Sequence, residues 1–134
     1  MKVLVVDDFS TQRKYIINIL RDMGIEEFSE AANGIEAIER LRNDDEINII
    51  ILDWLMPHMD GLAFLKLIRA QADFMDIPVL FVTNVDQKKD IVEALKYNID
   101  GYIVKPFKPA YLQEKVASIL EKISQAAEIK NDDD

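Results

Sequence analysis

The chain has 134 residues, 49% of them hydrophobic, with 25 acids against 16 bases for a net charge of −9, and no cysteine. That is the size of one ordinary domain with a full core, which excludes a disordered or low-complexity chain as a whole. The missing cysteines exclude a disulfide scaffold, a thiolate metal site and a cysteine nucleophile, and the acidic balance argues against general affinity for nucleic acid.

Val3–Val6 reads as a buried strand that ends in Asp7 and Asp8. The run is too short for a signal-peptide core of about 7–15 residues, and no run approaches the roughly 20 residues of a membrane span. A cytoplasmic protein without membrane insertion is expected. Ser10 or Thr11 is the expected cap of a helix carrying Tyr15, Ile16, Ile19, Leu20 and Met23 at helical spacing, stopped by Gly24. Glu27–Ala31 is a weaker strand, followed by a turn at Asn33-Gly34 and a short helix with Ile35, Ile38 and Leu41 on one face. Ile47–Leu52 is the strongest strand and ends at Asp53.

Pro57 and Gly61 bracket a loop, where Asp60 is placed to cap a helix with Leu62, Leu65 and Ile68. Pro78 leads the buried strand Val79–Val82, which ends at Thr83. Asp86 is the expected start of a helix with Ile91, Ala94 and Leu95. Gly101–Val104 is a short strand ending at Lys105-Pro106, and Pro109 suits the first turn of a last helix through Leu112, Val116, Ile119 and Ile123. The domain is expected to span residues 1–124, with residues 125–134 an acidic, solvated and frayed tail.

Five strand–helix units in alternation predict an α/β fold, a doubly wound five-stranded parallel sheet with five helices on its two faces. The unbroken apolar strands agree, because a sheet covered on both faces has no polar side. In such a sheet the carboxyl ends of all strands share one rim. Asp7, Asp8, Asp53, Thr83 and Lys105 therefore converge although they are far apart in sequence.

Neighbouring ionised carboxylates repel and raise one another's pKa values. A hard divalent cation offsets that, and an oxygen-only donor set suits Mg2+. A carboxylate facing such a cation beside an ammonium is equipped for phosphoryl transfer, with the carboxylate as nucleophile. Taken singly, each residue has a plainer role: Asp7 and Asp8 as caps, Asp53 in a turn, Thr83 as a β-branched strand residue, Lys105 as a solvated lysine. Their joint occurrence on one rim favours the chemical reading.

These residues, with Met56-Pro57, Asp60-Gly61, Val82-Thr83 and Lys105-Pro106-Phe107, resemble the receiver domain of two-component response regulators. The likeness covers roughly residues 1–124 and is nearest to the single-domain chemotaxis members. It implies the flavodoxin-like strand order 2-1-3-4-5. It implies that Asp53 accepts a phosphoryl group from a phosphohistidine on a sensor histidine kinase of the chemotaxis type. Asp8, Asp53 and the backbone carbonyl of Leu55 would ligate Mg2+, with Asp7 acting largely through water. Lys105 would pair with the phosphoryl group, Thr83 would turn toward it, and Tyr102 would swing inward. The response would be read on the face of the fourth helix, fifth strand and fifth helix, where Lys88, Tyr102 and Lys115 match the chemotaxis pattern, by the flagellar motor switch or another chemotaxis protein. A cis peptide at Lys105-Pro106 is implied as well.

The sequence departs from the best-known chemotaxis member at Leu55, Asn84 and Val85. Leu55 and Val85 are apolar where polar groups flank the path of the hydrolytic water, so slow self-dephosphorylation is expected. The lone His58 reads as a solvated loop residue. A phosphate sink, a phosphorelay receiver or a receiver cut from a larger regulator would use the same site. An aspartyl-phosphate hydrolase fits less well, because it needs two aspartates two residues apart, whereas Asp7 and Asp8 are adjacent.

Overall fold

The three central strands, past Lys2 and Asn48 near their starts, are apolar on both sides because both sides are covered. In the computed structural model, which describes the backbone of residues 1–132 and the side chains of residues 1–129, β1 (Lys2–Val6), β3 (Ile47–Leu52) and β4 (Val79–Thr83) form the centre of one sheet. β2 (Glu27–Ala31) and β5 (Gly101–Val104) form its edges, in the order β2-β1-β3-β4-β5, with every pair parallel. The intervening helices are α1 (Ser10–Arg21), α2 (Gly34–Asn43), α3 (Gly61–Arg69), α4 (Lys88–Leu95) and α5 (Pro109–Asp132). The sequence expectation of five alternating units in this order is met.

The two-residue period of the strands divides the core. Leu4, Val6, Ile50, Leu52, Val79 and Phe81 point to one face, where Ala37, Leu41, Phe64, Leu65, Ile68 and Ala94 cover them. Val3, Val5, Ile49, Ile51, Leu80, Val82 and Ile103 point to the other, against Ile16, Leu20, Leu112, Val116 and Ile119. Each such side chain contributes about 1.5–3 kcal/mol when fully buried. A register slip of one residue would merely exchange the two apolar faces, so the helices and turns must also hold the register.

Three helix ends differ from expectation. α1 begins at Ser10 with Phe9 in the cap position and no side-chain cap, so neither Ser10 nor Thr11 caps it. α4 begins at Lys88 after Gln87, and Asp86 lies one residue too early; its carboxylate accepts from the Gln87 side-chain amide at 3.2 Å. Asn33 does more than turn the chain: its side chain accepts from the Glu36 amide and caps α2. Asp60 caps α3 as expected, accepting from the Ala63 amide at 2.8 Å.

The stretch read as a frayed tail is helical up to Asp132. No glycine or proline follows Pro109, and Ala126, Ala127 and Glu128 favour helix. Its residues from Ser124 to Ile129 are exposed, as a solvated segment should be. Asp133 and Asp134 lie outside the described residues.

Candidate functional site

Four of the five strands deliver a candidate residue to the same rim. Asp7 and Asp8 follow β1, Asp53 follows β3, Thr83 closes β4, and Lys105 follows β5. The Lys105 ammonium lies 3.0 Å from Asp7 Oδ2 and 3.3 Å from Asp53 Oδ2, so one cation bridges two acids. The other oxygens of those acids take backbone amides. Asp7 Oδ1 accepts from the Phe9 N–H at 2.9 Å and Asp53 Oδ1 from the Trp54 N–H at 2.7 Å.

Asp7 is 1% exposed and Asp53 7%. Burial pushes the Asp7 carboxyl above the usual carboxylate range. The Phe9 amide and the Lys105 ammonium oppose that shift, and the charge of Asp53 adds to it. One carboxylate oxygen from each of Asp7, Asp8 and Asp53 lies within 4.8 Å of the others. Asp8 Oδ1 is the one buried side-chain oxygen without a hydrogen-bond partner among the described residues. A divalent cation would satisfy it, and a set of hard carboxylate oxygens is what Mg2+ takes. The residues present therefore fit that ion.

The loop after β3 is held by backbone bonds. The Gly61 N–H donates to the Trp54 carbonyl at 2.8 Å, and the Gly34 N–H donates to the Met59 carbonyl at 3.1 Å. His58 is exposed, as expected, and has a φ of 67°. Leu55 presents its side chain to solvent, 63% exposed. Lys105-Pro106 is cis.

Thr83 is fully buried, and its Oγ1 accepts from the Val85 N–H at 3.3 Å. Tyr102 already packs inward: its ring lies 5.4 Å from that of Phe81, and its hydroxyl donates to the Val85 carbonyl at 2.6 Å. Burial first, then the charges of Asp90, Asp53 and Asp86, push this phenol up to about 12. Both switch candidates thus grip the same residue, Val85. Lys88 is exposed at the start of α4, and Lys115 on α5 lies over the Tyr111 ring at 5.5 Å. With Tyr102 on β5 between these helices in chain order, the three candidates sit on neighbouring elements.

Sequence reasoning gave no role to three features. Arg13 Nη1 donates to the Asp7 carbonyl at 2.6 Å while its Nε pairs with Glu30, fixing the backbone of the acid cluster. A Cβ on Gly61 would fall 2.2 Å from the Asp53 carbonyl oxygen, so this helix start is pressed against the site. Trp54, Phe81 and Tyr102 stack in series at 5.6 and 5.4 Å. The first two carried a signal, an arginine six residues after Asp7 and a glycine after a capping aspartate; the third appears only once the strand order is known.

The family model described as the response regulator receiver domain matches residues 3–117. The chain belongs to that family. It is 42% identical over 123 residues to chemotaxis protein CheY-3 of Vibrio cholerae, covering 92% of this chain and 94% of that protein. It is 43% identical over 120 residues to CheY1 of Helicobacter pylori, covering 90% and 97%. Among solved structures it resembles the CheX–CheY complex with beryllofluoride and Mg2+ from Borrelia burgdorferi. That match has a TM-score of 0.82 and 28% identity over 90% of this chain and 89% of that one. Vibrio cholerae CheY4 follows at a TM-score of 0.79 and 32% identity, covering 88% and 97%. Receiver domains of this kind are switches and not classical enzymes. No helix among the described residues is long and apolar enough to cross a membrane.

Proposed function

We propose that this receiver is a Mg2+-dependent phosphorylation switch of the cytoplasm, with residues 1–124 as its working unit. Asp53 takes the phosphoryl group from a phosphohistidine on a chemotaxis-type sensor histidine kinase. The N–P bond of the donor breaks, an Asp53 O–P bond forms, and the imidazole leaves with its electron pair. The observation that carries this reading is the Lys105 ammonium bridging Asp7 and Asp53 inside a three-carboxylate cluster.

The residues divide the work. Asp53 Oδ2 is the oxygen shared with Lys105, whereas Oδ1 is held by the Trp54 amide, so the carboxylate is oriented before its donor arrives. Lys105 moves with its charge from the carboxylate to the incoming phosphoryl oxygens. Asp8, Asp53 and the Leu55 carbonyl would hold Mg2+, with Asp7 supporting it mainly through water. The bound cation supplies neutralisation of the developing charge on the phosphoryl oxygens.

Thr83 releases the Val85 amide to donate its hydroxyl to the phosphoryl group. Because Tyr102 holds the carbonyl of that same residue, the change at Thr83 passes to the face of α4, β5 and α5. Lys88, Tyr102 and Lys115 then meet a chemotaxis partner such as the flagellar motor switch. The similarity to CheY proteins supports that partner class.

The test is incubation with acetyl phosphate and Mg2+, followed by intact mass and mapping of the modified residue. The expected result is one phosphoryl group on Asp53, absent in Asp53→Ala and absent in a chelator. Labelling of Asp53→Ala at the rate of the parent chain overturns the assignment.

A further inference from the structure

Helix α5 outruns the sheet it packs on. Val116 and Ile119 are buried in the core with Ile49 and Ile103. The same apolar stripe continues at helical spacing through Ile123, which is only partly buried, to Ala126, which is exposed. What faces that continuation is a groove of about 470 Å³, floored by the half-buried Ile77 and Ile123 with the buried Ile47 and Ile119 beneath them. It opens at the end of the sheet where the strands start, since Ile47 begins β3 and Asp100 immediately precedes β5. The acid cluster lies at the opposite end, about 17–20 Å away by strand length.

The rim is acidic. Asp73, Asp76 and Asp100 face one base among the described lining residues, Lys122, and the charges of Asp100 and Asp76 also act on Arg69 beside them. A second hollow of about 370 Å³ shares Ile47, Asp73 and Ile77 with the first and adds Asp44 and Asp45 against Arg42. Some of this charge is already engaged: Asp44 pairs with Lys2, and Asp100 accepts from the Val79 amide. Asp45, Asp73 and Asp76 make no ion pair among the described residues. The result is an elongated, two-lobed apolar trough edged by free carboxylates.

We propose that this trough docks a basic amphipathic segment of a partner protein, with its apolar residues on the isoleucine floor and its Lys or Arg residues against Asp73 and Asp76. The charge selects the occupant. A second copy of this chain would bring a net charge of −9 against an acidic rim. A basic segment meets complementary charge there and covers the apolar end of α5 that the fold leaves open. Docking at this end leaves the acid cluster free, so the partner holds the protein in both phosphorylation states.

The experiment titrates the full chain, isotope-labelled for NMR, with a synthetic peptide of Leu and Lys at helical spacing. A companion peptide carries Glu in place of every Lys. Expected are saturable one-to-one binding, amide shifts centred on Asp73, Ile77, Ile123 and Ala126, and no binding of the Glu peptide. Asp73→Lys and Ala126→Lys, both exposed substitutions, should each weaken binding by about tenfold. Saturating Mg2+ with beryllofluoride should leave the affinity unchanged, which separates this site from the phosphorylation site and its reading. Absence of saturable binding overturns the proposal. So do shifts centred on the acid cluster, loss of binding with Mg2+, or unchanged affinity in both lysine variants. Self-association of the chain with shifts in the trough overturns it in favour of a second copy.

Discussion

Gly61→Ala tests whether the start of α3 sets the position of Asp53. The added Cβ would meet the Asp53 carbonyl oxygen at 2.2 Å, the Trp54 Cα at 2.9 Å and the Asp53 carbonyl carbon at 3.0 Å. All three are backbone atoms, and the first contact is about 1.2 Å short of ordinary van der Waals distance. Nothing flexible can yield, so either α3 or the strand end carrying Asp53 must move by nearly that amount. Overpacking of this kind costs about 1–3 kcal/mol, which for a chain of this length lowers Tm by roughly 3–5 °C per kcal/mol. A displacement of about 1 Å at a reacting group costs on the order of 100-fold in rate. Phosphorylation by acetyl phosphate, followed by intact mass, should therefore slow by about 10–100-fold while the protein stays folded. Gly34→Ala is the internal control. The nearest atoms to its Cβ would be Met59 Cγ at 2.7 Å and Sδ at 2.8 Å, which can turn away, and Met59 Cβ at 3.0 Å, which needs to give by a few tenths of an ångström. Gly34→Ala should change stability by under about 1 kcal/mol and label at the parent rate. An unaltered Tm and labelling rate in Gly61→Ala, or equal damage from Gly34→Ala, would refute the reasoning.

Mg2+ at about 100 times its Kd should raise stability by ~2.7 kcal/mol; in Asp8→Asn, which neutralises the residue bearing the unpartnered oxygen, a thermal melt should show that gain lost while the metal-free Tm is unchanged or higher. Tyr102 keeps its proton to about pH 12 in the folded chain against 10.0 for a free phenol. The folded state therefore binds more protons between those values, and this group's contribution to stability is complete below about pH 10 and lost as pH rises to about 12. In Tyr102→Phe the highest-pH step of the phenolate absorbance titration should vanish; its persistence would assign that step elsewhere. Leu55→Asn with Val85→Glu places polar groups where the parent has apolar ones, and phosphoryl decay in Mg2+ buffer should quicken; a double variant decaying no faster than the parent would dismiss the slow-hydrolysis expectation.

What could be read from the sequence follows from how locally each feature is determined. β3 and β4 were legible because burial on both faces leaves apolar runs, broken in β3 by Asn48 alone, and the rim followed at once from parallel strands. The cap of α1 was not, because the usual signal, a polar side chain just before the helix, misleads here. Asp7 accepts from the Phe9 amide and Lys105 together, so the acids ahead of α1 serve the site and an apolar Phe9 is left at the cap. In the last helix, the run of aspartates at residues 132–134 suggested a solvated, frayed end; residues 124–129 are exposed, but local helix propensity in Ala126–Glu128 keeps the segment helical. The stack of Trp54, Phe81 and Tyr102 joins the loop after β3 to β4 and β5 and depends on the order of those strands, which no local pattern encodes.

Charge balance favours a cation among these same residues. The cluster sets three carboxylates against one ammonium, and a phosphoryl group would add further negative charge to a site whose acids are largely buried. Lys105 cannot offset both the resident and the arriving charge, because it already bridges Asp7 and Asp53. Burial raises the pKa of Asp7, and the charge of Asp53 adds the smallest part of that rise. The sign of the charge excess is the unpartnered Asp8 oxygen. A site built in this way holds its metal-free state at a cost and takes a divalent cation and a phosphoryl group together more readily than the phosphoryl group alone. Labelling that proceeds equally well in a chelator would show that Lys105 alone is sufficient, and the balance argued here would fail.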